Sequence, residues 1–453
     1  MTSAHRSAYL LERAWVDGAV LDDVLVEIED GRFTAVTPGT SRPDDKASSS
    51  QREFHRPADE THRLPGLTLP GLANCHSHAF HRALRGRTQR ERGTFWTWRE
   101  QMYGVAGRLD PDSYFELARA TYREMAAAGI TSVGEFHYLH HQPDGTPYDD
   151  PNAMGHALVA AAGDAGIRIG LLDTCYLSSG FGRPPEGAQV RYSDGDAVRW
   201  AERVAGLEAE PHAAIGAAIH SVRAVPRDQL TTVVEAAGGG PLHVHLSEQV
   251  AENDACLATY GATPTQLLHD AGALGPRTSA VHATHLTGAD ITHLGSTRTR
   301  ACFCPTTERD LGDGIGPGRA LAAAGAVLTL GSDSHAVIDL LEEMRALELD
   351  ERLATQQRGH WTAAELLAAG TAHESVGFAD AGVIAVGRRA DLVTLDTTST
   401  RTAGTGADEA TAVFAAGAAD VTHVVADGRV IATRDDHEDI GRELAAAIER
   451  VHR

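Results

Sequence analysis

Seven polar side chains follow apolar, strand-like runs in the middle of the chain, and their types suit metal-assisted hydrolysis. They are His76, His78, His220, His245, Glu248, His282 and Asp333. Imidazole nitrogens and carboxylate oxygens are ordinary ligands of Zn2+, and the same groups, when not bound to metal, carry protons during catalysis. Because His76 and His78 are two residues apart on a predicted strand, both rings leave the same face. The spacing therefore predicts a metal-dependent hydrolytic site.

One divalent cation is predicted to bind His76, His78, His245 and Asp333. Three imidazoles and a carboxylate suit Zn2+, with Fe2+ or Mn2+ as alternatives, and leave a coordination position for water. A cation of this kind lowers the pKa of bound water from about 15.7 to about 7. The chain has a single lysine, Lys46, in the polar stretch SRPDDKASSS. No carbamylated lysine is therefore expected to bridge a second metal, and the site is predicted to be mononuclear.

Eight apolar runs carry these residues into position. They read LTLPGLANCHSHA, ITSVGEFH, IRIGLLDT, AAIGAAIH, PLHVHLSE, TSAVHAT, RTRACFCP and AVLTLGSD. Helical patterns such as SYFELARATYREMAAAG and AMGHALVAAAGDAG separate most of them. Strands that alternate with helices predict parallel βα units, and eight such units predict a closed (β/α)8 barrel of the α/β class. The carboxyl ends of barrel strands meet at one mouth, so the polar side chains are expected to lie together.

Both ends of the chain have a different pattern. The runs WVDGAV and VLVEIEDGRFTAV near the start, and GVIAVGRRADLVTLD and VTHVVADGRVIAT near the end, are β-type runs punctuated by glycine and aspartate. They predict a small composite β-sandwich domain, with residues 1–64 as its first part and 381–453 as its second part with a C-terminal helix. The barrel is then expected over 65–380. A polar stretch, 38–63, is predicted to be a loop.

Composition narrows the partners and the compartment. The 453 residues carry a formal net charge of -22, which disfavours nucleic acids and anionic membranes as partners. Five cysteines argue against a disulfide scaffold and suit a reducing compartment, and Cys302 and Cys304 are predicted to be buried strand residues. The start of the chain lacks a secretory pattern, and no apolar run is long enough for a bilayer. We therefore expect a cytoplasmic protein with no membrane partner.

The order of these motifs resembles a known superfamily. HSH, HVHLSE, VHAT and GSD follow one another as in the amidohydrolase superfamily, and GRRADLVTLD is similar to its composite β domain. More narrowly, NCHSHAFHRAL, TFWTWREQMY, VGEFHYLHH, IHSVRAV, HVHLSEQ and VHATHLT resemble the formimidoylglutamate deiminase family over most of residues 65–395. WTWRE and HSVRAV are the specific segments, whereas HSH and GSD are shared by many deaminases.

The resemblance implies an activity and a set of roles. It implies hydrolysis of N-formimino-L-glutamate to N-formyl-L-glutamate and ammonia in histidine degradation, with one Zn2+ per subunit of a homodimer. Glu248, His282 and Asp333 match the groups that handle protons. The positions that match substrate contacts are His81, Arg99, Tyr138, His220 and Arg223.

A small dicarboxylate substrate would explain the two arginines, because a guanidinium binds a carboxylate through two parallel hydrogen bonds. Taken without the family match, Arg99 could be a surface charge on a helix, Arg223 the start of a loop, and Glu248 a helix-capping residue. His81 departs from the family, which has glutamine there, although a histidine ring can still donate one hydrogen bond.

Two other functions remain compatible with the residues. A different deaminase of the same superfamily, acting on guanine, an adenosine-like compound or a triazine, would keep the same metal ligands. An aromatic substrate would favour stacking side chains over arginines at the mouth. A non-catalytic barrel that serves as an assembly scaffold would be expected to lose ligands or the acid–base pair, whereas this chain keeps all of them.

Overall fold

The computed structural model describes residues 6–39, 61–90 and 92–453, and its centre is a barrel of eight parallel strands. The strands are β5 (Leu72–Ser77), β6 (Ile130–His137), β7 (Arg168–Cys175), β8 (Ala213–Ile219), β9 (Leu242–Leu246), β10 (Thr278–His282), β11 (Arg300–Phe303) and β12 (Val327–Leu330). Every residue of β6 and β7 is buried, as expected for parallel strands covered on both faces. Each strand coincides with one of the eight predicted runs.

The barrel closes where its last strand meets its first. Neighbouring strands pair in the order β5 to β12, and the backbone N–H groups of Ser332 and Asp333 donate to the carbonyl of His76 at 3.1 and 3.0 Å. These bonds lie immediately beyond β12, in the turn that carries Asp333. Two predicted metal ligands, His76 and Asp333, therefore also form the backbone hydrogen bonds that close the barrel.

Helices surround the barrel and occupy the connections. They are α1 (Phe95–Ala106), α2 (Pro111–Ala127), α3 (Ala153–Ala165), α4 (Ala197–Val204), α5 (Leu230–Ala236), α6 (Val250–Tyr260), α7 (Pro264–Asp270), α8 (Gly288–Ser296), α9 (Pro305–Leu311), α10 (Gly318–Ala324), α11 (Leu340–Thr355), α12 (Ala363–Gly370), α13 (Glu409–Phe414) and α14 (His437–His452). The local sequence determines where α2 begins. The side chain of the N-cap residue Asp110 accepts the N–H of Ser113 at 2.8 Å, and Pro111 occupies the first turn.

The two ends of the chain form one seven-stranded sheet. Its strands are β1 (Arg6–Val16), β2 (Ala19–Glu29), β3 (Arg32–Thr37), β4 (Thr61–Pro70), β13 (Leu392–Leu395), β14 (Val421–Ala426) and β15 (Arg429–Thr433). The order is β15-β14-β13-β4-β1-β2-β3, antiparallel throughout except for the parallel pair of β1 and β4. The predicted barrel with a composite β domain is therefore confirmed, and the domain is built on a single continuous sheet.

A buried ion pair ties the sheet to the barrel. Arg168, at the start of β7, donates to both carboxylate oxygens of Asp391, which precedes β13, and both side chains are about 1% exposed. Thr131 Oγ1 also donates to Asp391, at 3.0 Å. The predicted loop at 38–63 falls mostly outside the described residues, and its last three residues begin β4 instead.

Two further observations concern the cysteines and the helices. All five cysteines are unpaired and buried, and Cys302 lies in β11 with Cys304 directly after it. Within the ranges described above, the helices are too short or too polar to cross a membrane.

Candidate active site

Four side chains from three parts of the chain converge at the barrel mouth. Asp333 Oδ1 lies 3.4 Å from His76 Nε2 and 3.4 Å from His78 Nε2, and His76 Nε2 lies 3.1 Å from His245 Nε2. One ligand atom from each of the four falls within 4.8 Å of those of the others. The residues predicted as metal ligands therefore form a candidate metal site, although their role as ligands stays a prediction.

Hydrogen bonds fix how two of these rings face the site. His78 Nδ1 donates to the carbonyl of Phe136 and His245 Nδ1 to that of His220, both at 3.0 Å, which leaves an Nε2 lone pair on each ring. Burial lowers the pKa of His76 and holds those of His78 and His245 well below the usual value. Neutral imidazoles with their lone pairs directed at one point, beside a carboxylate, fit a borderline divalent cation.

The backbone at the ends of the strands adopts a left-handed conformation at several residues that are not glycine. Ser247, His282 and Asp333 have φ angles of 53°, 67° and 36°. Such angles are unfavourable for residues with a Cβ and are concentrated at functional sites, where the surrounding structure imposes them. Here they turn the side chains of His282 and Asp333 inward over the barrel axis.

The predicted proton-handling residues lie beside the ligand cluster. His282 Nε2 is 3.9 Å from Glu248 Oε1 and 3.8 Å from Asp333 Oδ2, while Asp333 directs Oδ1 at the histidine ligands. Burial lowers the pKa of His282, but Glu248, Glu308 and Asp333 outweigh it and raise the pKa to about 10. Burial raises the pKa of Glu248 to about 7. Asp333 can therefore face the ligands with one oxygen and His282 with the other.

Glu308 is a site residue that the sequence reasoning missed. Its carboxylate lies 3.4 Å from His282 Nδ1 and accepts the backbone N–H of Cys304 at 2.9 Å. It sits in the CPTTE segment, directly after the seventh barrel run, so its place after a strand was an available signal. Cys304, predicted to be a buried strand residue, is buried and also lies near His282 and Asp333.

A cavity opens above the cluster, and all five predicted substrate-contact residues line it. Its wall also contains Trp98 of the WTWRE segment. The remaining aromatic and apolar side chains of the wall were not singled out from the sequence: Met102, Tyr103, Tyr176, Tyr192 and Leu311. Tyr103 was within reach of prediction, because it follows Arg99 by four residues on α1 and so shares a face with it.

The two arginines lie on the wall of this cavity. Arg223 Nε is 3.3 Å from Glu252 Oε2, and the Arg99 guanidinium lies over the ring of Tyr103, 5.5 Å from its centroid. Burial alone would lower the pKa of Arg223, but Glu252 raises it, so the guanidinium stays charged. The cavity thus combines a candidate cation site with two fixed positive charges.

His81, Tyr138 and His220 complete the predicted contacts. His81 Nε2 lies 3.2 Å from the Tyr138 hydroxyl, and burial lowers the pKa of His81 to about 3, so its ring is neutral. The His220 ring packs edge-on against Tyr176 with centroids 4.6 Å apart. All three are brought together at the mouth, and their contacts with a substrate stay predictions.

A second group of possible ligands lies outside the cavity wall. His137, His140 and Asp173 are close enough to hold an ion. However, Asp173 is already bound by Arg203 at 2.8 and 2.9 Å and by Trp200 Nε1 at 2.9 Å. A guanidinium inside the group opposes a cation, so this cluster is better explained as a buried polar network.

The chain is similar to known proteins in sequence and in fold. Residues 67–431 match the model of the amidohydrolase family. The chain is 39% identical to formimidoylglutamate deiminase of Pseudomonas aeruginosa over 75% of this chain and 78% of that protein. It is 28% identical to 8-oxoguanine deaminase of the same organism, over 81% and 80%. The crystal structure of an amidohydrolase from Brucella melitensis superposes with a TM-score of 0.87 at 30% identity, covering 99% and 100% of the two chains.

Proposed function

This chain belongs to the amidohydrolase family and is a hydrolase of C–N bonds, and we propose that its substrate is N-formimino-L-glutamate. The products are N-formyl-L-glutamate and ammonia, as in histidine degradation. The main support for the proposal is that Arg99 and Arg223 both line the cavity that opens onto the candidate metal site. A dicarboxylate with a reactive formimino group needs both the arginines and the metal site. A substrate with a neutral ring needs only the metal site.

The reaction replaces one C–N bond by a C–O bond. Water adds to the formimino carbon, the carbon becomes tetrahedral, and the bond to the terminal nitrogen then breaks to release ammonia. His76, His78, His245 and Asp333 would hold a divalent cation, which would lower the pKa of the attacking water, and Zn2+ would suit these donors best. The chain's own groups then have to move two protons.

We assign the transfer of those protons to Asp333 and Glu248. Asp333 Oδ2, which faces away from the ligand histidines, accepts the proton of the attacking water. Glu248 gives a proton to the terminal nitrogen as water adds and takes back the proton of the new hydroxyl as the formyl carbonyl forms, so a pKa of about 7 suits it. Asp333 gives the proton taken from water to the same nitrogen, which then leaves as ammonia. His282, 3.9 Å from Glu248 and 3.8 Å from Asp333, orients the attack and stabilises the charge that develops on the reacting atoms.

A second candidate is a deaminase of purine-like rings. The aromatic wall of Tyr103, Tyr138, Tyr176 and Tyr192 could stack a ring, and 8-oxoguanine deaminase is among the relatives. The charges favour formiminoglutamate, because a neutral purine has no carboxylate for the two guanidinium groups on the cavity wall to bind.

The test is a product assay on the purified protein. Ammonia and N-formyl-L-glutamate are measured with formiminoglutamate, and ammonia alone with guanine, 8-oxoguanine and S-adenosylhomocysteine. We expect turnover of formiminoglutamate only, and its loss in Asp333→Asn at unchanged melting temperature in the metal-free state. Turnover of a purine with none of formiminoglutamate would replace this proposal by the second candidate.

A further inference from the structure

Gln189 is a buried amide whose orientation is fixed by the backbone. It lies in the short 3-10 helix Gly187–Tyr192 and is buried, with 4% of its surface exposed. Its Oε1 accepts the backbone N–H of Glu186 at 3.2 Å. Because the oxygen is committed to that N–H, the two protons of the amide nitrogen must point the other way.

Those two protons meet two phenol oxygens of the cavity wall. Gln189 Nε2 donates to the hydroxyl oxygens of Tyr103 and Tyr176, each at 2.9 Å. The Arg223 guanidinium lies close enough to the hydroxyl of Tyr176 to lower its pKa. Each phenol oxygen therefore acts as an acceptor toward the protein. Among the described residues, neither hydroxyl proton has an acceptor of its own.

The hydroxyl protons are left for a group inside the cavity. Tyr103 and Tyr176 line the cavity together with Arg99 and Arg223. Burial raises the pKa of Tyr176 to about 12, so this phenol keeps its proton at neutral pH. The two phenol hydroxyls therefore add hydrogen-bond donors to a wall that already carries two guanidinium groups.

We propose that Gln189 is a positioning residue that turns the hydroxyl protons of Tyr103 and Tyr176 into the cavity, where both donate to a carboxylate of the substrate. The proposal rests on the proposed function, because it requires an anionic substrate. It adds specificity to the arginines: a guanidinium attracts any anion, whereas two directed phenol donors select an acceptor at a fixed point. A ligand without an acceptor there leaves both donors unpaired, and such sites discriminate strongly.

The first measurement reverses the direction of the amide. In Gln189→Glu the side chain keeps its shape, but a carboxylate accepts from both phenols, so their protons turn away from the cavity. We expect KM for formiminoglutamate to rise about 10- to 100-fold, the factor that hydrogen bonds to a charged group contribute, with kcat within about threefold. Gln189→Met, which removes the polarity and adds no charge, is expected to raise KM about 3- to 10-fold.

The second measurement asks whether Gln189 acts through the phenols. In a Tyr103→Phe, Tyr176→Phe background, Gln189→Met is expected to have no further effect on KM, because no hydroxyl is left to direct. A purely structural role would instead give additive losses and would lower kcat and the melting temperature together. Additive losses, or a Gln189→Glu protein with unchanged KM, would overturn the inference.

Binding of N-formyl-L-glutamate separates this inference from the proposed function. The dissociation constant of this product, measured by calorimetry on the metal-loaded protein, is expected to follow the same order: wild type, Gln189→Met, Gln189→Glu. Turnover of formiminoglutamate with unaffected Gln189 variants overturns the inference alone. Absence of both turnover and dicarboxylate binding in the wild type overturns both.

Discussion

Replacement of Arg223 by alanine tests the electrostatic argument most directly. Arg223 lines the cavity and pairs with Glu252 at 3.3 Å, so its removal has two effects. The substrate loses a charge-assisted hydrogen bond, which contributes about 1.5–3 kcal/mol. Glu252 also loses its ion-pair partner and is left as an uncompensated acid next to the position of the removed guanidinium.

The second effect is smaller than a full repulsion. Burial already raises the pKa of Glu252 and Arg223 lowers it, so removal of Arg223 raises this pKa further and partly neutralises the carboxylate. We therefore assign the residual repulsion about 1 kcal/mol. Together the two effects predict a fall in kcat/KM of about 100- to 1000-fold for Arg223→Ala, mostly through KM.

Two further variants separate these contributions. Steady-state ammonia release is measured for Arg223→Ala, Arg223→Lys and the double variant Arg223→Ala, Glu252→Gln. Glutamine at 252 is expected to recover about fivefold, the equivalent of about 1 kcal/mol. Lysine is expected to recover little more, because an ammonium cannot reproduce the two-point contact. A loss confined to kcat, or a double variant no better than Arg223→Ala, would refute the assignment of Arg223 to carboxylate binding.

Three other outcomes are expected. Chelation of divalent cations should abolish ammonia release and lower the melting temperature, and addition of Zn2+ should restore both. Full turnover after exhaustive chelation would contradict the assignment of the metal ligands. His81→Gln should keep kcat and KM within about threefold, because glutamine can still donate a hydrogen bond into the cavity. His81→Ala should raise KM about tenfold. An equal rise of KM in both variants would show that hydrogen bonding at this position does not contribute to binding. Asp391→Asn should reduce the free energy of unfolding in urea by about 3–5 kcal/mol, since it removes the buried partner of Arg168, and a change below about 1 kcal/mol would contradict the ion pair's role.

The barrel could be predicted because its strands are buried on both faces and end in polar residues. ITSVGEFH, for example, is β6 from its first residue to its last. His76 and His78 were recognisable because a two-residue spacing on a strand has one geometric consequence, and Asp333 because GSD closes an apolar run. The fold class and the candidate metal site therefore followed from local patterns.

The wall of the cavity could not be predicted in the same way. Tyr176 directly follows β7 and Gln189 lies in a short 3-10 helix. Nothing in their local sequence shows that Gln189 contacts Tyr176 across 13 positions and Tyr103 across 86 positions. Glu308 approaches His282 across 26 positions, and the position of α9 relative to the end of β10 depends on packing. Hydrogen bonds between separate elements are set by tertiary structure, and a single sequence does not encode them as a period or a motif.

The seam at His76 couples assembly of the chain to its chemistry. The carbonyl of His76 receives the N–H groups of Ser332 and Asp333, while the side chains of the same histidine and aspartate face each other at 3.4 Å. A barrel left open between β12 and β5 would therefore lack both of these backbone hydrogen bonds and a complete cation site. A cation bound by both side chains would link two residues that are some 250 positions apart in the chain. It would therefore stabilise only the molecule in which the barrel is closed.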